Sequence, residues 1–381
     1  MTRVEVRADM LRWACQRAGF DIGELAHRIP QLPAWVREEK RPTLKQLEAF
    51  AKATHTPIGY LFLPEPPEER IPIPDFRVVA GSEFRRPSPD LLDIIYLCQR
   101  RQDWYRDFAR AESEGLLPFV GTVRVGDDVT AAAARIRQDL GFDLDARRKM
   151  PTWTDALRLF IEQADTLGVL VMVSSVVGSN TRRKLAPQEF RGFALADDLA
   201  PLVFINGTDT KAAQMFTLAH ELAHIWLGQS ALSNTEASTV PVQQVERWCN
   251  QVAAELLVPL ASFRDVYDHR AELRTELDRL ARRFKVSTLV ILRRMFDVGG
   301  LQGEAYWAAY EQELEHLRLL PKGRGGNFYL TLGARVSKRF ARALVASTLE
   351  GQTLFRDAFS MLGIKKETAF RTLSEQLGYG V

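Results

Sequence analysis

Apolar positions recur at helical spacing along most of the chain and gather into short apolar runs only in its middle. Near the start, Leu11, Ala14, Cys15 and Ala18, then Leu25, Ala26 and Ile29, then Leu44, Leu47, Phe50 and Ala51 repeat at three- and four-residue intervals, which predicts a set of short helices. Residues 64–74 (PEPPEERIPIP) cannot continue them, because proline fixes φ and has no N–H to donate, so this stretch reads as an extended linker. Helical spacing returns over residues 88–150, in a segment around 91–114 and an alanine-rich one around 130–140. The pattern then turns strand-like at 169–177, 190–195 and 202–205, three runs separated by turn residues. From Thr208 the helical period resumes, broken by the glycine-rich joint 321–327 (PKGRGGN). In the last segment it is carried by Val336, Phe340, Leu344 and Thr348.

Strands followed by helices, without βαβ alternation, predict an α+β fold: a mostly helical multidomain chain with a small sheet in its central domain. The divisions fall at 1–63 (a helical bundle), 64–87 (a proline-rich linker), 88–150 (a helical connecting region), 151–320 (the domain with the sheet and trailing helices) and 321–381 (a C-terminal helical unit). The 46% hydrophobic and 26% charged content excludes a disordered or fibrous chain. The longest apolar run, 168–178, is too short to cross a bilayer, so no membrane partner is expected. A charged N-terminus and three widely spaced cysteines (Cys15, Cys98, Cys249) predict no signal peptide, no disulfide framework and a cytoplasmic protein.

Net charge is +3 and by itself points to no partner. Its distribution says more. Residues 1–80 are nearly balanced, whereas 321–349 carry Lys322, Arg324, Arg335, Lys338, Arg339 and Arg342 with no acid, a candidate face for nucleic acid or an acidic protein. Arg282, Arg283, Arg293 and Arg294, in a segment with helix-turn-helix cadence where Ser287 can serve as N-cap, read as a solvated face.

The strongest chemical signal is His220-Glu221-Leu222-Ala223-His224. In a chain with six histidines, an HExxH run arises by chance on the order of 0.006 times. The surrounding apolar period predicts a helix, started by Thr208 or Asp209 and stopped by Gly228. Histidines four apart lie one turn apart on one helix face, so both imidazoles can ligate one Zn²⁺ while Glu221 takes a proton from water. A third ligand is needed, and the next helix (VERWCNQVAAELLV, ending before Pro259) offers Glu246 and Glu255. Facing Trp248, Val252, Ala253, Leu256 and Leu257 to the core sets Glu246 and Asn250 on one side, where Asn250 can steady a ligand; spacing alone leaves the two glutamates open.

The run from Phe204 to Gly228, together with Glu246-Arg-Trp-Cys-Asn-Gln-Val-Ala-Ala-Glu-Leu-Leu-Val-Pro259, resembles the ImmA/IrrE family of zinc metallopeptidases over roughly residues 150–265. The resemblance implies a gluzincin-like domain with His220, His224 and Glu246 as zinc ligands and Glu221 as general base. It further implies a metallo-endopeptidase that regulates by cleaving a protein partner, such as a repressor or a toxin–antitoxin component. Residues 8–63 resemble an Xre/Cro-type helix-turn-helix in Leu11-Arg12, Leu25-Ala26, Trp35, Pro42-Thr43, Leu47 and Ala51, which implies transcription regulation, DNA as a further partner and a possible homodimer. The copy departs from that pattern: Ala26 and Trp35 are nine apart, about one turn too few, and Pro30 and Pro33 fall between them. The C-terminal run FYLTLGARVSKRFARA resembles antitoxin partners of PIN-type ribonuclease toxins, so a DNA-binding repressor or antitoxin with the peptidase fold as scaffold or sensor is the second reading.

Overall fold

A computed structural model describes residues 3–76, 87–233, 243–319 and 335–379. The chain divides into two compact units, Met1–Pro72 with Val79–Ile95, and Ile73–Val78 with Tyr96–Val381. The proline-rich linker is thus split, its last residues belonging with the larger unit.

The first unit is built of α1 (Ala8–Arg17), α2 (Ile22–Ala26), α3 (Leu32–Val36), α4 (Leu44–Ala53) and a 3₁₀ turn, Ile58–Phe62. Asp21 caps α2 through Gly23 N–H, and Thr43 with Gln46 forms a reciprocal capping box on α4. Met10, Leu11, Ala14, Leu25, Trp35, Leu47 and Phe50 close its core. Arg17 pairs with Glu69 at 2.6 Å and donates to the His55 carbonyl, which ties the start of the linker to the bundle.

Helix α5 (Pro89–Ala111) begins in the first unit and ends in the second. There follow α6 (Val129–Leu140), α7 (Leu144–Arg148) and α8 (Trp153–Leu167), then β1 (Leu170–Ser174), β2 (Gly192–Leu195) and β3 (Leu202–Asn206). Next come α9 (Lys211–Leu227), β4 (Ala231–Ser233), α10 (Gln244–Leu257), α11 (Leu260–Arg264), α12 (Leu273–Phe284), α13 (Thr288–Asp297) and α14 (Gly303–Leu319). The described C-terminal segment holds α15 (Lys338–Leu349), α16 (Phe355–Leu362) and α17 (Glu367–Gln376). The sheet has the order β1-β3-β2-β4; β1 and β3 run parallel, and β2 is antiparallel to both β3 and β4. Strand β4 departs from the sequence expectation of uninterrupted helix after Thr208, because three residues are too few to show a period of two.

Helix α9 is the centre of the larger core: every residue from Gln214 to Leu227 is buried. Its N-cap is Thr210, whose hydroxyl accepts from Ala213 N–H, rather than Thr208 or Asp209; those two sit in the turn that leads from β3. Gly228 ends it at φ 67°, a left-handed position that glycine takes without a Cβ penalty. The α6 residues Ala133, Ile136 and Leu140 share this core with Ile225, Trp226, Val252 and Leu256, so the region expected to be a connector is part of the domain's packing.

Ser287 caps α13 as expected, but Arg294 is not on a solvated face: it is 4% exposed, paired with Glu255 and Asp297. The C-terminal segment packs back on α8 and α5. Ser337 and the Arg339 N–H meet Asp165, and Arg101 donates to the Met361 carbonyl at 2.7 Å.

Candidate metal centre

Helices α9 and α10 lie directly against each other, and the contact between them assembles the site. One turn of α9 separates His220 from His224, and one turn of α10 separates Glu246 from Asn250. His224 Nε2 lies 3.1 Å from His220 Nε2 and 2.9 Å from Glu246 Oε1, and His220 Nε2 lies 3.3 Å from Glu246 Oε2. Both histidines are fully buried and Glu246 is 2% exposed. On the other side of the His220 ring, Nδ1–H donates to Asn250 Oδ1 at 3.0 Å, which turns the unprotonated Nε2 towards the cluster.

Two imidazole nitrogens and one carboxylate therefore offer lone pairs to a single point, with one ligand atom from each within 4.8 Å of the others. That donor set fits a metal ion: three ligands from two helices, held from behind by an amide, are what a catalytic site with an open position requires. Burial alone would disfavour ionised Glu246, yet the neighbouring histidines hold its carboxyl below its ordinary range. Burial lowers His224, and Glu246 works against that shift.

Glu221 stands beside the cluster, completely buried; the Ser233 hydroxyl is close enough to favour its carboxylate, but neither carboxylate oxygen has a hydrogen bond of good geometry. Desolvation pushes its carboxyl well above the usual range, and the Glu246 charge adds to the effect. Space for it is made by Gly192 on β2. A Cβ there would lie 3.1 Å from Glu221 Oε1 and 2.6 Å from Thr217 Cγ2.

The competing Glu255 is committed elsewhere. It pairs with Arg294 at 2.8 Å and accepts from the Leu260 N–H, so of the two glutamates on α10 only Glu246 meets the histidines. Lys338 pairs with Glu162, and Arg339 bonds both Glu114 and the Tyr105 hydroxyl; these two basic side chains are engaged within the fold. Burial lowers the Arg335 guanidinium, Arg342 lies on α15, and Lys322 and Arg324 fall outside the described residues. Sequence reasoning missed Gly192 and Phe76, whose ring stacks on His224 with centroids 6.1 Å apart and planes 15° apart. A glycine inside a strand is a signal of close approach; a phenylalanine at the end of a proline-rich linker carries none.

Residues 164–296 match the family model of the IrrE N-terminal-like domain, a peptidase family. This segment is similar to that family. The match spans β1 to α13 and contains the histidine pair, Glu221, Glu246 and Asn250. Residues 336–376, which hold α15 to α17, match a second model, a domain of unknown function (DUF8813). Neither match reaches the first unit, and no curated protein matches the chain.

Proposed function

We propose that the chain is a zinc-dependent metallo-endopeptidase that acts as a regulator by cleaving a protein partner. The buried convergence of His220, His224 and Glu246 beside the Glu221 carboxyl carries this reading. Bound by these three side chains, Zn²⁺ would supply Lewis acidity at the peptide carbonyl and lower the pKa of a water towards ~7. The chain's own part in the chemistry falls to Glu221. Its carboxylate takes a proton from the attacking water and delivers it to the leaving amine nitrogen. Burial that raises the pKa of this carboxyl makes it a stronger base than a solvated carboxylate, which suits the first half of that transfer. Asn250 keeps His220 in the tautomer that ligates.

The test is metal content measured on protein purified without added metal. The expected result is about one zinc per chain, lost in His220→Ala and in Glu246→Ala. Glu221→Gln should keep the zinc and lose cleavage of an unfolded protein substrate. Wild-type protein that takes up no metal on titration overturns the reading.

The DNA-binding alternative has less to stand on. Helices α2 and α3 have five residues each, whereas a recognition helix needs length for its first turn to reach base edges in the major groove.

A further inference from the structure

The sheet ends at β4, and an unpaired strand edge next to a metal-ligating helix is a natural docking strip for an extended peptide. In this protein that edge is not free. Leu232, the middle residue of β4, accepts from Phe76 N–H at 3.0 Å and donates to the Pro74 carbonyl at 2.9 Å, a parallel bridge centred on Asp75. Ile73 is buried, and the Phe76 ring lies face to face with His224. Residues 73–76 thus act as a fifth strand in miniature, and they end over one of the three side chains of the candidate metal centre.

Resting on the peptidase reading above, we propose that residues 73–76 form an intramolecular strap that fills the peptide-docking edge of the site. They stand in the place of a substrate: an extended, unfolded segment of a protein partner with a large apolar or aromatic residue against His224.

The strap is built to hold weakly. A second bridge further back would need an N–H from Pro74, which has none, so its ladder stops at two hydrogen bonds on that side. It also runs parallel to β4, and parallel pairing is the less stable mode. A partner segment that runs antiparallel takes the same Leu232 N–H and C=O in the more stable pairing mode and displaces it. The strap is covalently continuous with the rest of the chain, so a released strap competes with a partner segment as an intramolecular ligand.

The experiment compares wild type with Phe76→Ala and Phe76→Tyr in the full chain, by amide hydrogen exchange at Leu232 and by cleavage of unfolded casein. Phe76→Ala should raise Leu232 exchange about ten-fold and casein turnover by a similar factor, and Phe76→Tyr should behave as wild type. A free peptide with the sequence of residues 69–78 should slow both in the Phe76→Ala protein. Unchanged Leu232 exchange in Phe76→Ala overturns the strap. So does faster exchange with casein turnover left at the wild-type rate in an active enzyme. If no variant cleaves casein at all, the peptidase reading fails; the strap then stands or falls on whether the free peptide restores Leu232 protection.

Discussion

A single added methyl at position 192 tests whether the position of Glu221 depends on the close approach of α9 to β2. In Gly192→Ala the new Cβ lies 2.6 Å from Thr217 Cγ2, 2.9 Å from the Phe204 carbonyl oxygen and 3.1 Å from Glu221 Oε1. Carbon contacts are comfortable at about 3.5–4.0 Å, so helix and strand must part by roughly an ångström. The carbonyl belongs to the backbone of β3 and cannot swing aside. Overpacking of this kind costs about 1–3 kcal/mol. At about 2–4 °C per kcal/mol for a unit of this size, the transition should fall by roughly 2–12 °C in a thermal melt. Activity should fall further than stability, about 100-fold, because Glu221 is displaced by a distance that matters to proton transfer. Zinc content should be unchanged, since the histidine pair faces away from the new methyl, towards α10.

Thr217→Ser removes the nearest clash and leaves the carbonyl contact, so in the Gly192→Ala background it should recover part of the lost stability. The coupling in that double-mutant cycle should be about 0.5–3 kcal/mol. A Gly192→Ala protein that melts within about 1 °C of wild type, with full activity, refutes the reasoning; at that size the effect is no larger than that of a surface change.

Two further predictions concern α10. Asn250→Ala leaves His220 without the acceptor for its Nδ1–H and should weaken zinc about 10–100-fold in a competitive chelator titration, with little change in thermal stability. Glu255→Ala strands a guanidinium that is 4% exposed and should cost about 3–5 kcal/mol in denaturant unfolding, towards the lower figure because Asp297 still faces Arg294. The double change Glu255→Leu with Arg294→Met should be close to neutral, and zinc content should be intact in both proteins.

Much of this site was legible in the chain because its signals are local. A period of 3.6 residues places His220 above His224 and Glu246 above Asn250 without reference to any other part of the molecule. Capping chemistry is equally short-ranged: Gly228 and Ser287 act as their residue types suggest, and the α9 start is displaced only to Thr210, where the hydroxyl meets an orphan N–H. Three of the four strands announce themselves as apolar runs between turns. Glu246 and Glu255, by contrast, are both buried on one helix, and the helical pattern alone treats them alike. What separates them is that Arg294, on α13, folds against Glu255 while the histidines of α9 fold against Glu246. The same holds for Arg294, which reads as a surface cation until its two carboxylate partners are in place, and for residues 73–76, which read as a spacer until β4 offers them an edge. Residue type and spacing determine which side chains share a helix face. Which faces meet is decided by packing between segments far apart in the chain, and that choice brought Glu246 rather than Glu255 to the histidines and placed Phe76 on His224.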